Sequence, residues 1–238
     1  MMELTKLADG LWRWTAPHPE WTPAADRPDG WGRMVGCVYR EAPGGIVLID
    51  PLAPPEGSEE ARRFWEALDR DVAKNGKPVA ILLGNHFHER HTQAFLHRYR
   101  AAPGSSLWAP EKTLGLLACE VAHPFQPGDL LPGGLVAYAI SGLECPGETV
   151  FYDRHHRALI CADAFLGAGG GRIRVAPLSW AEKTPEGRER YQDEFRASLR
   201  RLGTLDVERV IVSHGDPVLT EGHAAVLEAL ESPGWGEP

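Results

Sequence analysis

The chain has 238 residues, 43% of them hydrophobic, which is enough for one large domain with a real core. A formal net charge of −8 without any stripe of Lys or Arg argues against a nucleic-acid surface. The first residues lack the apolar segment of a signal peptide, no run approaches a membrane span, and the cysteines at 37, 119, 145 and 161 form no CxxC pair. A cytoplasmic protein built as a single domain over 1–238 is expected, with a small molecule as partner, no nucleic acid and no membrane; the oligomeric state is open.

In chain order, 37–40 and 45–50 flank the turn Glu41-Ala42-Pro43-Gly44 and read as a hairpin. Residues 58–74 read as an amphipathic helix with Ala61, Phe64, Trp65 and Leu68 on one face, Ser58 as cap and Asn75-Gly76 as stop. A buried strand follows at 78–83, then helices over 92–100 and 111–120 separated by a strand at 106–109. Strands at 135–140, 149–152 and 158–161 come next, the last two flanking Asp153-Arg154-His155-His156, where both histidines read as solvated. The chain closes with a charged helix over 186–202, a buried strand over 207–212 and a helix over 220–231 capped by Thr220.

The chemistry concentrates where apolar runs end. His86, His88 and His91 stand at i, i+2 and i+5 directly after the 78–83 strand, a spacing that turns several imidazoles toward one cavity. Later runs end in Glu144-Cys145-Pro146-Gly147-Glu148, in Asp163, and in Ser213-His214-Gly215, while an earlier one ends in Asp50. Gly215 lets the backbone turn sharply after His214. Cys37, Cys119 and Cys161 read as packing residues, whereas Cys145 adjoins Glu144 and a one-residue change of register would offer its thiolate instead of the carboxylate. His97, His123 and His223 carry no assignment.

This order resembles the metallo-β-lactamase-fold hydrolases over almost the whole chain: a strand ending in Asp, a His-x-His-x-Asp-His segment, a Pro-Gly turn, a Gly-Asp type strand end and a late His-Gly. The resemblance implies an α/β fold, a four-layer αββα sandwich of two mixed β-sheets flanked by helices. It also implies metal ligands: His86, His88 and Glu144 for a first ion, and His91 and His214 for a second, with Asp163 bridging. Two positions depart from the pattern, because Arg90 stands where the family has a metal-binding Asp and Glu144 where it has a His. Arg90 offers no lone pair. Turned inward, it stands in for an ion and pairs with Asp163, Glu144 or an anionic substrate; turned outward, it is a solvated side chain.

One ion is therefore favoured over two, with zinc foremost, manganese or iron also suited, and an apo state open. The activity this implies is metal-dependent hydrolysis of an ester, lactone, thioester or phosphoester, with Asp163 and Arg90 as candidate catalytic groups. The alternative is a degenerate member that binds a small ligand without hydrolysis. Residues 17–31, rich in Pro and Trp, suggest an aromatic wall over the site, with Trp21, Trp31 and His18 as substrate contacts. Residues 167–171 suggest a flap.

Overall fold

The computed structural model describes residues 2–26, 30–102 and 104–232. Seven strands form the first sheet in chain order: β1 (Leu4–Ala8), β2 (Leu11–Pro17), β3 (Met34–Ala42), β4 (Gly45–Ile49), β5 (Val79–Leu82), β6 (Ser106–Pro110) and β7 (His123–Phe125). The first four pair antiparallel, and β4 through β7 pair in parallel. The second sheet holds β8 (Leu130–Leu131), β9 (Leu135–Ala139), β10 (Thr149–Asp153) and β11 (Ala158–Cys161). After a separate hairpin of β12 (Phe165–Gly169) and β13 (Arg172–Val175), β14 (Arg209–Val212) joins that sheet parallel to β11.

Covering on both faces explains why the central strands β4, β5 and β11 are apolar along their whole length. In β4, Val47 and Ile49 face a core between the sheets that also contains Leu82, Phe151, Ile160 and Ile211. Ile46 and Leu48 face the opposite way, against Phe64 and Leu68 of α1 (Glu59–Asn75) and Phe95 of α2 (Thr92–Tyr99). The second sheet repeats the arrangement, burying Val150, Leu159, Val210 and Val212 against Tyr191, Phe195, Leu199 and Val226. A strand covered on both faces has no use for a polar alternate, and the result is the expected four-layer sandwich of helices, two mixed sheets and helices. Among the described residues no helix is long and apolar enough to cross a membrane.

Helix α1 begins and ends as its sequence predicts: Ser58 accepts the Ala61 N–H, and Gly76 closes it in the left-handed conformation. Other expectations need correction. Residues 111–120 form only a 3₁₀ turn at Glu111–Thr113, because the Glu89 carboxylate takes the Ala118 and Cys119 N–H groups that a helix would have used. The helix over 186–202 is present with its helical backbone continuous, as α3 (Pro185–Arg190), a π turn at Tyr191–Phe195, α4 (Arg196–Arg200) and a 3₁₀ turn; the π turn buries both Tyr191 and Phe195, stacked at 4.9 Å. Thr220 does not cap α5 (Gly222–Glu231), which enters from Glu221 in left-handed conformation with the Gly222 N–H bonded to Glu208 O.

His156 is buried rather than solvated. Its Nδ1 lies 2.7 Å from Asp153 Oδ2 and its Nε2 is 2.8 Å from Asp9 O. The same Asp153 carboxylate accepts from Arg40 Nε at 2.9 Å, joining β3 of one sheet to β10 of the other through a buried ion pair. Burial opposes the charged carboxylate, but Arg40 and His156 outweigh it and hold Asp153 below the usual range. Arg40→Met, by stranding this buried charge, is expected to cost about 3 kcal/mol at neutral pH. A group with a depressed folded pKa loses its contribution as pH falls, so the deficit shrinks below about pH 4. Urea denaturation at pH 7 and pH 3.5 checks both statements; equal stability of the two proteins at pH 7 contradicts them.

Candidate metal centre

The site forms where strands of both sheets end at one edge of the sandwich. Asp50 follows β4 in the left-handed region, at φ 50°, which Asp tolerates better than most residues. Its Oδ1 accepts the Gly84 N–H at 2.7 Å and its Oδ2 lies 2.8 Å from His88 Nδ1. Gly84 itself must be small. A Cβ there would sit 2.6 Å from the Ala162 Cβ, while its carbonyl accepts the Thr149 N–H at 2.8 Å and ties the two sheets together.

Asn85 then caps a 3₁₀ turn at His86–His88, its Oδ1 accepting the His88 N–H at 3.1 Å. That turn rotates the histidines apart: His88 is buried and points to the interior, whereas His86 is only partly buried, its ring 3.9 Å from that of Phe87. The Asn85 amide donates to Glu148 Oε2 at 2.8 Å and Asp163 Oδ2 at 2.9 Å. Glu148 is fully buried, and its other oxygen accepts the N–H groups of Asp163 and Ala164, both at 2.8 Å. This orients Asp163 so that Oδ1 lies 3.4 Å from His88 Nε2 and 3.3 Å from His214 Nε2. His214 is fixed through its own backbone, which bridges Val35 of β3 and accepts the Gly167 N–H of β12 at 2.8 Å. Gly215 turns the chain at φ 82° immediately after it.

His88, Asp163 and His214 each bring a donor atom within 4.8 Å of the other two, and all three are buried. Asp163 Oδ1 is enclosed and faces the two Nε2 atoms without a regular hydrogen bond to either, the state of a donor set open to a further group. Two imidazoles and a carboxylate suit a divalent transition ion. Cys145, Glu148 and Asp163 also converge within 4.8 Å, but the Glu148 oxygens are already occupied by three hydrogen bonds. Burial and the adjacent Glu148 raise the Cys145 thiol, whose Sγ donates to Glu148 at 3.9 Å.

The other sequence candidates fall around this centre. His86 and Glu144 line the same cavity of about 680 Å³ but lie outside the converging group, and Glu144 is exposed. His91 lines a neighbouring cleft of about 1420 Å³, and its Nδ1 accepts the Ala53 N–H at 3.2 Å. Trp21 belongs to that cleft as well, with the Arg33 guanidinium 6.0 Å from its ring, and His18 lines both spaces. Trp31 packs 6.3 Å from His214 and 6.4 Å from Trp180, giving the cavity an aromatic side. Of the loop at 17–31, residues 27–29 lie outside the described residues. The 167–171 segment is the end of β12 and its turn into β13, anchored at Gly167 where a Cβ would meet the Asp216 backbone at 2.4 Å.

Arg90 lines the cavity, at φ 31° and with Nε and Nη1 enclosed and unpartnered. Among the described residues it forms no ion pair with Asp163 or Glu144. Burial and the Arg90 charge oppose protonation of His88, yet Asp50 and Asp163 outweigh them and push it up to about 9. Burial lowers His214 despite Asp163, and burial with Arg90 lowers His18 to about 4. Burial acts to raise Asp163, but His88 and His214 hold it well below the carboxylate range, while burial and the Asp163 charge raise Glu148. Asp50, Asn85 and Glu148 thus belong to the site without having been singled out as site residues. The signal for them was their position at the ends of the apolar runs.

A scan against models of protein families finds no match. A search of curated proteins finds none either. Solved structures do match: a metallo-β-lactamase from Pontibacter korlensis superposes with TM-score 0.63 at 16% identity, covering 98% of this chain and 100% of that one. A metallo-β-lactamase family protein from Thermus thermophilus gives TM-score 0.60 at 18% identity, with 94% and 79% covered. A metallo-β-lactamase from Hirschia baltica gives TM-score 0.61 at 17% identity, with 96% and 95% covered. Likeness at such identities carries architecture and not chemistry, and the architecture agrees from end to end: this chain has the metallo-β-lactamase fold.

Proposed function

We propose that the chain is a hydrolase of small molecules that works with a single divalent metal ion held by His88, Asp163 and His214. The observation that carries this reading is the convergence of their donor atoms within 4.8 Å at the floor of the cavity. The fold neighbours named metallo-β-lactamases make hydrolysis the natural reaction class. An ion in such a set supplies a Lewis acid that generates hydroxide near neutral pH and polarises the scissile bond. The residues around it do the positioning. Asp50 sits against His88 Nδ1 and directs Nε2 toward Asp163. Asp163, with Oδ2 held by the Asn85 amide and Oδ1 facing both imidazoles, would hold and orient the ion and its water. Trp31 and Trp180 exclude water from the side of the cavity nearest His214. Zinc suits the donor set best, and the substrate is an ester, lactone, thioester or phosphoester.

Among the described residues His91 belongs to no comparable cradle for a second ion. His91 lines the other cleft, and the position beside it is a guanidinium. Protein purified without chelator is expected to carry about one equivalent of transition metal, read by elemental analysis, and His88→Ala to carry none while keeping its circular dichroism. Two equivalents in the wild type contradict the assignment. A metal-free wild type would support instead the reading that Arg90 and the exposed Glu144 favour, a cavity that binds a small ligand without hydrolysing it.

Asp50→Asn tests the positioning role. It keeps the size of the side chain and removes the charge facing His88, so metal affinity should fall about 10–100-fold. Zinc titration with a competing chromophoric chelator measures this; unchanged affinity removes Asp50 from the account.

A further inference from the structure

The cavity wall contains a second feature that the metal set does not use. Among the described residues lining it, enclosed atoms without partners include Arg90 Nε, Arg90 Nη1 and Trp31 Nε1, all of them obligatory donors. A buried donor left unpaired costs its full desolvation penalty, and a charged donor costs more than a neutral one. The backbone adds to this cost, since Arg90 is held at φ 31°, a conformation that side chains with a Cβ rarely adopt. Such strain is maintained only where the surrounding structure fixes it, here by the 3₁₀ turn before Arg90 and the helix after it.

Much of the remaining wall is apolar. Phe87 and Leu116 line the cavity while 58% and 52% exposed, and Leu143, Trp31 and Trp180 line it further in. Three carboxylates belong to the lining: Glu20 and Glu144 are exposed and screened by solvent, while Asp163 is buried and already engaged by Asn85, His88 and His214. The opposing charge is therefore either at the rim or committed to the two imidazoles, and the guanidinium pairs with none of it.

We propose that Arg90 is the specificity-determining residue of this cavity, binding the oxyanion of substrates that carry a carboxylate or phosphate group on an aromatic or aliphatic body. A guanidinium presents paired N–H donors that match such a group bidentately, and the apolar wall takes the body. The class rests on the proposed substrate cavity and names what enters it. It does not depend on the ion, so metal analysis and ligand binding fail independently.

Isothermal titration of the full chain measures this with four probes of one shape: 1-naphthoate, 1-naphthylphosphonate, neutral 1-naphthamide and cationic 1-naphthylmethylamine. Each is titrated into protein as purified and again with chelator present. At least one anionic probe is expected to bind about tenfold or more tighter than the amide, in both conditions. The order of the two anions tells carboxylate from phosphate. Arg90→Gln should remove the preference while leaving amide binding unchanged, and Arg90→Lys, which keeps the charge and loses the fork, should retain part of it. If the glutamine variant does not fold, the lysine variant decides, and an undiminished preference there overturns the proposal. Equal binding of anion and amide, a preference for the cation, a preference that vanishes with chelator, or one that survives Arg90→Gln each overturn it as well.

Discussion

A single buried carboxylate, that of Glu148, sets the geometry on which the candidate centre depends. It has no exposure, and its polar oxygens are costly there unless each is hydrogen-bonded. One oxygen takes the Asn85 amide and the other takes two successive backbone N–H groups at Asp163 and Ala164. The loop after β5, the turn before β10 and the end of β11 are thereby fastened to one point. Because these segments come from both sheets, the fastening also fixes the distance between sheet ends at the site. Asp163 is left with one oxygen held by Asn85 and the other facing His88 and His214. The Arg40–Asp153 pair joins the same two sheets through another buried carboxylate, one that does not line the candidate site.

The layered fold was legible because hydrophobic runs and their punctuation are local properties. Ile46 to Ile49 and Val210 to Val212 are apolar at every position, and only strands covered on both faces need that. Ser58 and Gly76 announce the ends of α1 for equally local reasons. What failed was long-range. Nothing near residues 118 and 119 says that the Glu89 carboxylate will take their N–H groups, and nothing near His156 says that Asp9 will offer it a carbonyl.

The site divides along the same line. His88, Asp163 and His214 could be nominated from strand ends, but their grouping depends on a 3₁₀ turn that separates His86 from His88 by rotation rather than by sequence. The i, i+2 spacing would place both rings together only on an extended backbone. Glu144 and Glu148 are similarly close in sequence, yet Glu144 is exposed at the rim while Glu148 is enclosed. Arg90 and Glu144, the two departures from the family pattern, are consistent with one another: with a permanent cation in the wall and a carboxylate withdrawn to the rim, the cavity keeps one compact donor set and gains a fixed positive charge beside it.

The most direct test of this account is the position of a bound ion. Crystals grown with zinc and measured at its absorption edge should give one strong anomalous peak, touching His88, His214 and Asp163. A peak coordinated by His86 and Glu144, or a pair of peaks at the spacing of about 3.5–4 Å found in two-metal sites, would contradict it.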